Sequence, residues 1–185
     1  MRWHRLFDDL EAQLDGEVAD ALDAELADRV RGELAKTSLE DRLRGALGRA
    51  VTLELAGVGP LRGTLRKVGS GWLIVDEPNG TATIALVGAV IGARGLPVAA
   101  RDRAADGIVG GRIGIGHVMR VLARDRTPTA VAQVDGTWLA GTIDRVGTDY
   151  FDLAEHPLDE ARRFAVGSVA RTVAVAVVAA LRPMR

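Results

Sequence analysis

The chain has 185 residues, 48% of them hydrophobic and 26% charged, which allows one or two domains with modest cores and only 4% aromatic side chains to fill them. It contains no cysteine, so disulfides, thiolate metal sites and cysteine nucleophiles are excluded. The net charge of -1 is divided unevenly: residues 1–36 hold ten acids against five bases, which leaves +4 for residues 37–185, compatible with nucleic-acid contact but far short of a dedicated polyelectrolyte binder.

Residues 2–35 read as one long acidic helix, because Trp3, Leu6, Phe7, Leu10, Leu14, Val18, Leu22, Leu26, Val30 and Leu34 recur at steps of three or four. Gly16 is its weak point, costing ~1 kcal/mol in a helix interior. The apolar stripe needs a partner, either the rest of the chain or a second copy. Ser38 followed by Glu40 and Asp41 signals a second, short helix over 39–47. The acids near the N-terminus occupy the place where a signal peptide needs an apolar run. The apolar stretch 173–181 falls well short of the ~20 residues that span a bilayer. A cytoplasmic protein without membrane contact is expected.

From Val51 the period changes to two. Val51, Leu53 and Leu55 alternate with polar or small residues as a half-buried strand does, and Gly57-Val58-Gly59-Pro60 ends that run. Further strands are expected at 61–68, 72–77, 81–86 and 90–94, with Asn79-Gly80 supplying a tight hairpin turn. Residues 97–112 read as a Gly- and charge-rich linker. A helix over 115–124 follows and ends before Thr127-Pro128. Beyond it, strands are expected at 130–134, after the Asp135-Gly136 turn, and again at 172–175 and 177–182.

The seventeen residues Leu61–Glu77 align without a gap on Leu139–Glu155, 78 positions later, with six identities: Leu61/Leu139, Gly63/Gly141, Thr64/Thr142, Val68/Val146, Gly69/Gly147 and Glu77/Glu155. Self-similarity of this kind bears on architecture before any other signal. Each copy is a short helix followed by about five short strands. Gly63 and Gly141 stand where the second strand must curl.

A helix, five curled strands and the pattern Gly-x-Φ-x-x-Φ (Φ apolar) at Gly63-Thr-Leu65-Arg-Lys-Val68 and Gly141-Thr-Ile143-Asp-Arg-Val146 resemble the Sm-like family, which includes bacterial Hfq. The apolar pairs Leu73/Val75 and Phe151/Leu153 fit its third strand. The resemblance covers roughly residues 38–94 and 113–182. It implies rings built by pairing strand four of one barrel with strand five of the next, and RNA bound at the loops after strands two and four. The chain departs from the family where nucleotides are held. Gly69 and Gly147 replace the Asp of Sm-type proteins, Val87-Gly88 replaces their Arg-Gly, and the Tyr-Lys-His segment of Hfq is absent. Base-specific pockets are therefore not implied.

His4, His117 and His156 stand alone, without a carboxylate or second His at metal-ligand spacing. The glycines of 110–116 lack both the Gly-Lys-Ser/Thr of a P-loop and the order of a dinucleotide site. No acyl-transfer nucleophile motif is present. The binding candidates are Trp72 and Tyr150, at equivalent positions past the loop between strands two and three. Either they stack on bases, each worth ~1–3 kcal/mol, or they cap the core. Arg66, Lys67 and Arg145 precede the same loops and are placed to meet phosphates.

These observations lead to a mainly β chain with an acidic amphipathic helix at 1–37, a first Sm-like or SH3-like five-stranded barrel at 38–96, a linker at 97–112 and a second barrel at 113–185. The expected protein is non-enzymatic, without metal or cofactor. Its expected partners are single-stranded RNA and further copies of itself, met through strand edges or the N-terminal helix. The alternative is an adaptor in which the barrels are scaffolding and the acidic helix recruits a protein.

Overall fold

The computed structural model describes residues 25, 28–32, 34–98, 100, 113–157 and 170–184. The chain divides into two compact units, Met1–Ser38 and Leu39–Arg185. In the first, residues 25, 28–32 and 34–36 are helical, Arg29 pairs with Glu25 at 3.3 Å and Arg31 pairs with Asp28. Val30 and Leu34, two members of the apolar stripe, are exposed. Most of the helix expected over 2–35, Gly16 included, lies outside the described residues, as do nearly all of the 97–112 segment and residues 158–169.

The second unit opens with α1 (Leu39–Gly45), which turns Leu43 into the core, and then enters the strands. In β1 (Ala50–Leu55) Val51, Leu53 and Leu55 are buried and the residues between them are not, as the period of two requires. It is followed by β2 (Gly59–Val68), β3 (Trp72–Asp76), β4 (Ala82–Leu86) and β5 (Val90–Arg94). Helix α2 (Ile115–Arg124) buries Met119 and Leu122. The remaining strands are β6 (Pro128–Gln133), β7 (Trp138–Val146), β8 (Tyr150–Glu155), β9 (Arg171–Ala174) and β10 (Val178–Pro183).

The two sets of five strands run in the same register. Ala50 faces Thr64 as Pro128 faces Thr142, and Leu65 faces Val75 as Ile143 faces Leu153. The bulge between Leu65 and Lys67 recurs between Ile143 and Arg145. Thr52 opposite Arg94 corresponds to Ala130 opposite Arg182, so the last strand of each set is 88 rather than 78 positions from its counterpart. The extra residues fall between β8 and β9. At the curl, a Cβ on Gly63 would lie 2.2 Å from the Asp76 carbonyl oxygen, and one on Gly141 would lie 2.1 Å from that of Ala154. Only glycine allows the neighbouring strand so close.

The expectation of two separate five-stranded barrels is overturned. Among the described residues the ten strands form one antiparallel sheet in the order β5-β1-β2-β3-β4-β10-β6-β7-β8-β9, and the helices are short. The joint is β4 against β10, with Ala85 opposite Ala180 and Ile84 opposite Leu181. The cores are also exchanged across it. Trp72, Ile84 and Leu86 of the first set pack with Met119, Phe151 and Leu153, while Ala132 and Ala180 of the second pack with Leu53 and Leu65. Burying four consecutive residues on both β4 (Thr83–Leu86) and β10 (Val178–Leu181) makes each a central strand rather than a barrel wall of its own.

Candidate functional site

The hairpins β2–β3 and β7–β8 carry all five residues singled out from the sequence, and the structure gives the two hairpins different surroundings. In each, a glycine amide donates to the carbonyl of the aromatic residue three positions on: Gly69 to Trp72 at 2.7 Å and Gly147 to Tyr150 at 2.8 Å. In each, the aromatic ring folds over that glycine so closely that any Cβ there would lie within 2.5 Å of it. Gly69 and Gly147 are thus seats for the rings.

Trp72 is buried to 2% exposure in the core around Met119 and Phe151, and its indole N–H donates to the Ile113 carbonyl at 2.7 Å. Ser70 donates to the same carbonyl at 3.2 Å. Of the two readings open to Trp72, the structure places it in the core, held by the segment that leads into α2. Lys67 lies over the Trp72 ring, 5.7 Å from its centroid, and exposed Arg66 pairs with Asp76 at 2.8 Å. Tyr150, by contrast, is 44% exposed, and Arg145 is exposed on the same hairpin. The five residues do not converge on one site.

The region between the two sets was not anticipated. Arg182 on β10 donates from Nε to the Thr83 hydroxyl at 3.1 Å, pairs with Glu77 at 3.4 Å, and lies 5.1 Å from the centroid of exposed Trp138. A signal for it existed in the register: Arg94 and Glu155 are the counterparts of Arg182 and Glu77, one near each end of the sheet. Among the described residues β5 pairs only with β1, and β9 only with β8. Exposure differs at equivalent positions of the two sets. Ile91 on β5 is 71% exposed, whereas its counterpart on β10, Ala179, is fully buried.

Of the histidines, His4 lies outside the described residues and His117 is exposed. His156 Nε2 lies 2.7 Å from the Thr142 hydroxyl, and its Nδ1 lies 2.8 Å from the Pro157 carbonyl. The carbonyl can only accept, so Nδ1 is the donor in that contact. Among the described residues no three His, Asp or Glu side chains form a group able to hold a metal. Residues 110–112 of the glycine run lie outside the described residues, and Gly114 bridges to Ser70. An open groove of about 540 Å³ runs between Arg66, Asp76, Thr81 and Met184. No helix among the described residues is long and apolar enough to cross a membrane. Asp135 accepts from the Thr137 amide at 2.8 Å; that bond, with the Thr137 hydroxyl, holds its carboxyl below the ordinary carboxylate range.

No family model, no curated protein and no solved structure matches the chain.

Proposed function

We propose that the protein is a non-enzymatic binding protein, related to the Sm-like family and duplicated within one chain, that self-associates through the edges of its sheet. The observation that carries this is the β4–β10 joint. One set of strands already meets the other by edge pairing, and among the described residues the sheet still presents one edge strand on each side. Unpaired N–H and C=O groups along such strands are a template for another chain. The register shared by the two sets supports the duplication. Light scattering on the full chain over a wide concentration range tests the reading. Masses above the 19.6 kDa of one chain are expected, and a strict monomer at the highest concentration refutes it.

A second reading rests on the exposure of Tyr150 beside Arg145. This hairpin binds single-stranded RNA by stacking a base on the tyrosine, with a contribution of ~1–3 kcal/mol. Titration of a fluorescent oligonucleotide at low salt tests it. Loss of binding in Tyr150→Ala is expected, and equal affinity in the two proteins refutes it.

A further inference from the structure

Self-association through the rims of the sheet leaves open which edges meet. Resting on that reading, we infer that two copies pair β5 against β5 across a two-fold axis and form a closed dimer, rather than joining β5 to β9 in a head-to-tail row.

The head-to-tail contact can be built from the joint that the chain already contains. Moving the β4–β10 pairing by 88 positions sets Gly92 opposite Val173 and Ala93 opposite Thr172. Arg94 then takes the place of Arg182, and Arg171 the place of Thr83. Where the internal joint sets a guanidinium against a hydroxyl at 3.1 Å, the transposed contact sets two guanidiniums together. Ile84 and Leu86 become Thr172 and Ala174. Both polar groups of β9 already have partners on β8: Arg171 pairs with Glu155 at 3.4 Å, and Thr172 donates to Asp152 at 2.7 Å. Short length and inward-paired polar residues are how a native edge is blunted.

The β5 edge is different. Ile91 is its most exposed apolar residue. On the outer face Glu54 lies over Gly92, where a Cβ would come 2.9 Å from the carboxylate, and it pairs with Arg94 at 3.1 Å. The absence of a side chain at position 92 lets a carboxylate reach the rim of the sheet. Antiparallel pairing of two such strands brings Arg94 of each copy toward Glu54 of the partner subunit. Four charges then alternate around the axis. The contact is self-complementary, so it closes after two copies.

The chain contains no cysteine, which makes single-cysteine cross-linking unambiguous. Ile91→Cys and Thr172→Cys chains would each be treated with a short bis-maleimide, and the mass of the untreated full chain measured by light scattering. A dimer that cross-links through Ile91→Cys and not through Thr172→Cys is expected. A mass above the dimer, or a dimer that Ile91→Cys does not link, overturns the β5–β5 contact and leaves the wider proposal of self-association standing. A monomer overturns both.

Discussion

Arg44 is the largest test of how α1 is held. Its side chain is 1% exposed, with ion pairs of 3.0 Å to Glu40 and 3.0 Å to Asp41 on its own helix and a long contact of 3.5 Å to the Gly69 carbonyl. Glu40 also accepts from the Gly71 amide at 2.8 Å, so the cluster fastens α1 to the β2–β3 turn. Replacing Arg44 by Met keeps the stem and deletes the charge. Breaking a buried pair costs roughly 3–5 kcal/mol when the remaining charge is sealed in. Here Glu40 and Asp41 keep about a quarter of their side-chain surface in water, which places the cost at the lower end, ~3 kcal/mol. Helix α2 supplies the comparison, since the residues it buries are the apolar Met119 and Leu122. Exchanging all three charges together, as Glu40→Val, Asp41→Met and Arg44→Leu, is therefore expected to cost less than Arg44→Met alone. Urea unfolding of the three proteins, compared at equal slopes, measures both differences. A single-variant cost below ~1 kcal/mol, or a triple variant as unstable as the single one, would refute the reasoning.

Gly141→Ala forces a methyl group against the Ala154 carbonyl oxygen, and it is expected to lose at least the ~1–3 kcal/mol typical of overpacking, read as a lower urea midpoint. Trp72→Ala should cost ~3–5 kcal/mol, and Tyr150→Ala, at a position 44% exposed, clearly less. Equal costs would mean that the two hairpins are alike after all. The Asp135 carboxyl titrates below its ordinary value, because the folded chain favours its ionised form. Its contribution to stability is present above the unfolded carboxylate range and disappears as pH falls through the lowered folded value. Asp135→Ala should therefore weaken the acid dependence of stability in that window, seen as converging unfolding midpoints of the two proteins toward low pH.

Much of the strand pattern is legible in the sequence, because the alternation Val51, Leu53, Leu55 and the turn at Asn79-Gly80 are local signals. The strand at 90–94 and the helix at 115–124 fall where the pattern sets them. The joining of the two sets is not legible in the same way, because edge pairing between distant strands leaves no local period. Trp72 and Tyr150 stand at equivalent positions with equivalent turns. What separates core from surface is Ile113, forty-one residues beyond Trp72, which nothing after Tyr150 among the described residues replaces. The charges before the loops read as free to meet phosphates, and the pairing of Arg66 with Asp76 across two strands needs the register to be seen.

One trace of the joint does stand in the sequence, and it leads to a last test. In β4 the run Thr83-Ile84-Ala85-Leu86 is buried without alternation, and its last three residues are apolar in sequence, which is the mark of a strand covered on both faces. In β9 the counterpart run is Arg171-Thr172-Val173-Ala174, where only Val173 is buried. Two sets of strands with such different fourth strands are not interchangeable: one is built to be paired and the other to remain an edge. If that difference is what stops the sheet at β9, giving β9 the residues of β4 should remove the stop. The substitutions Arg171→Thr, Thr172→Ile and Ala174→Leu take away the cation that would meet Arg94 and restore the apolar side chains of the internal joint. Light scattering on this variant is expected to show masses beyond the dimer that rise with concentration. A variant that folds with unchanged circular dichroism and keeps the parent's mass would show that the polar side chains of β9 are not what ends the row.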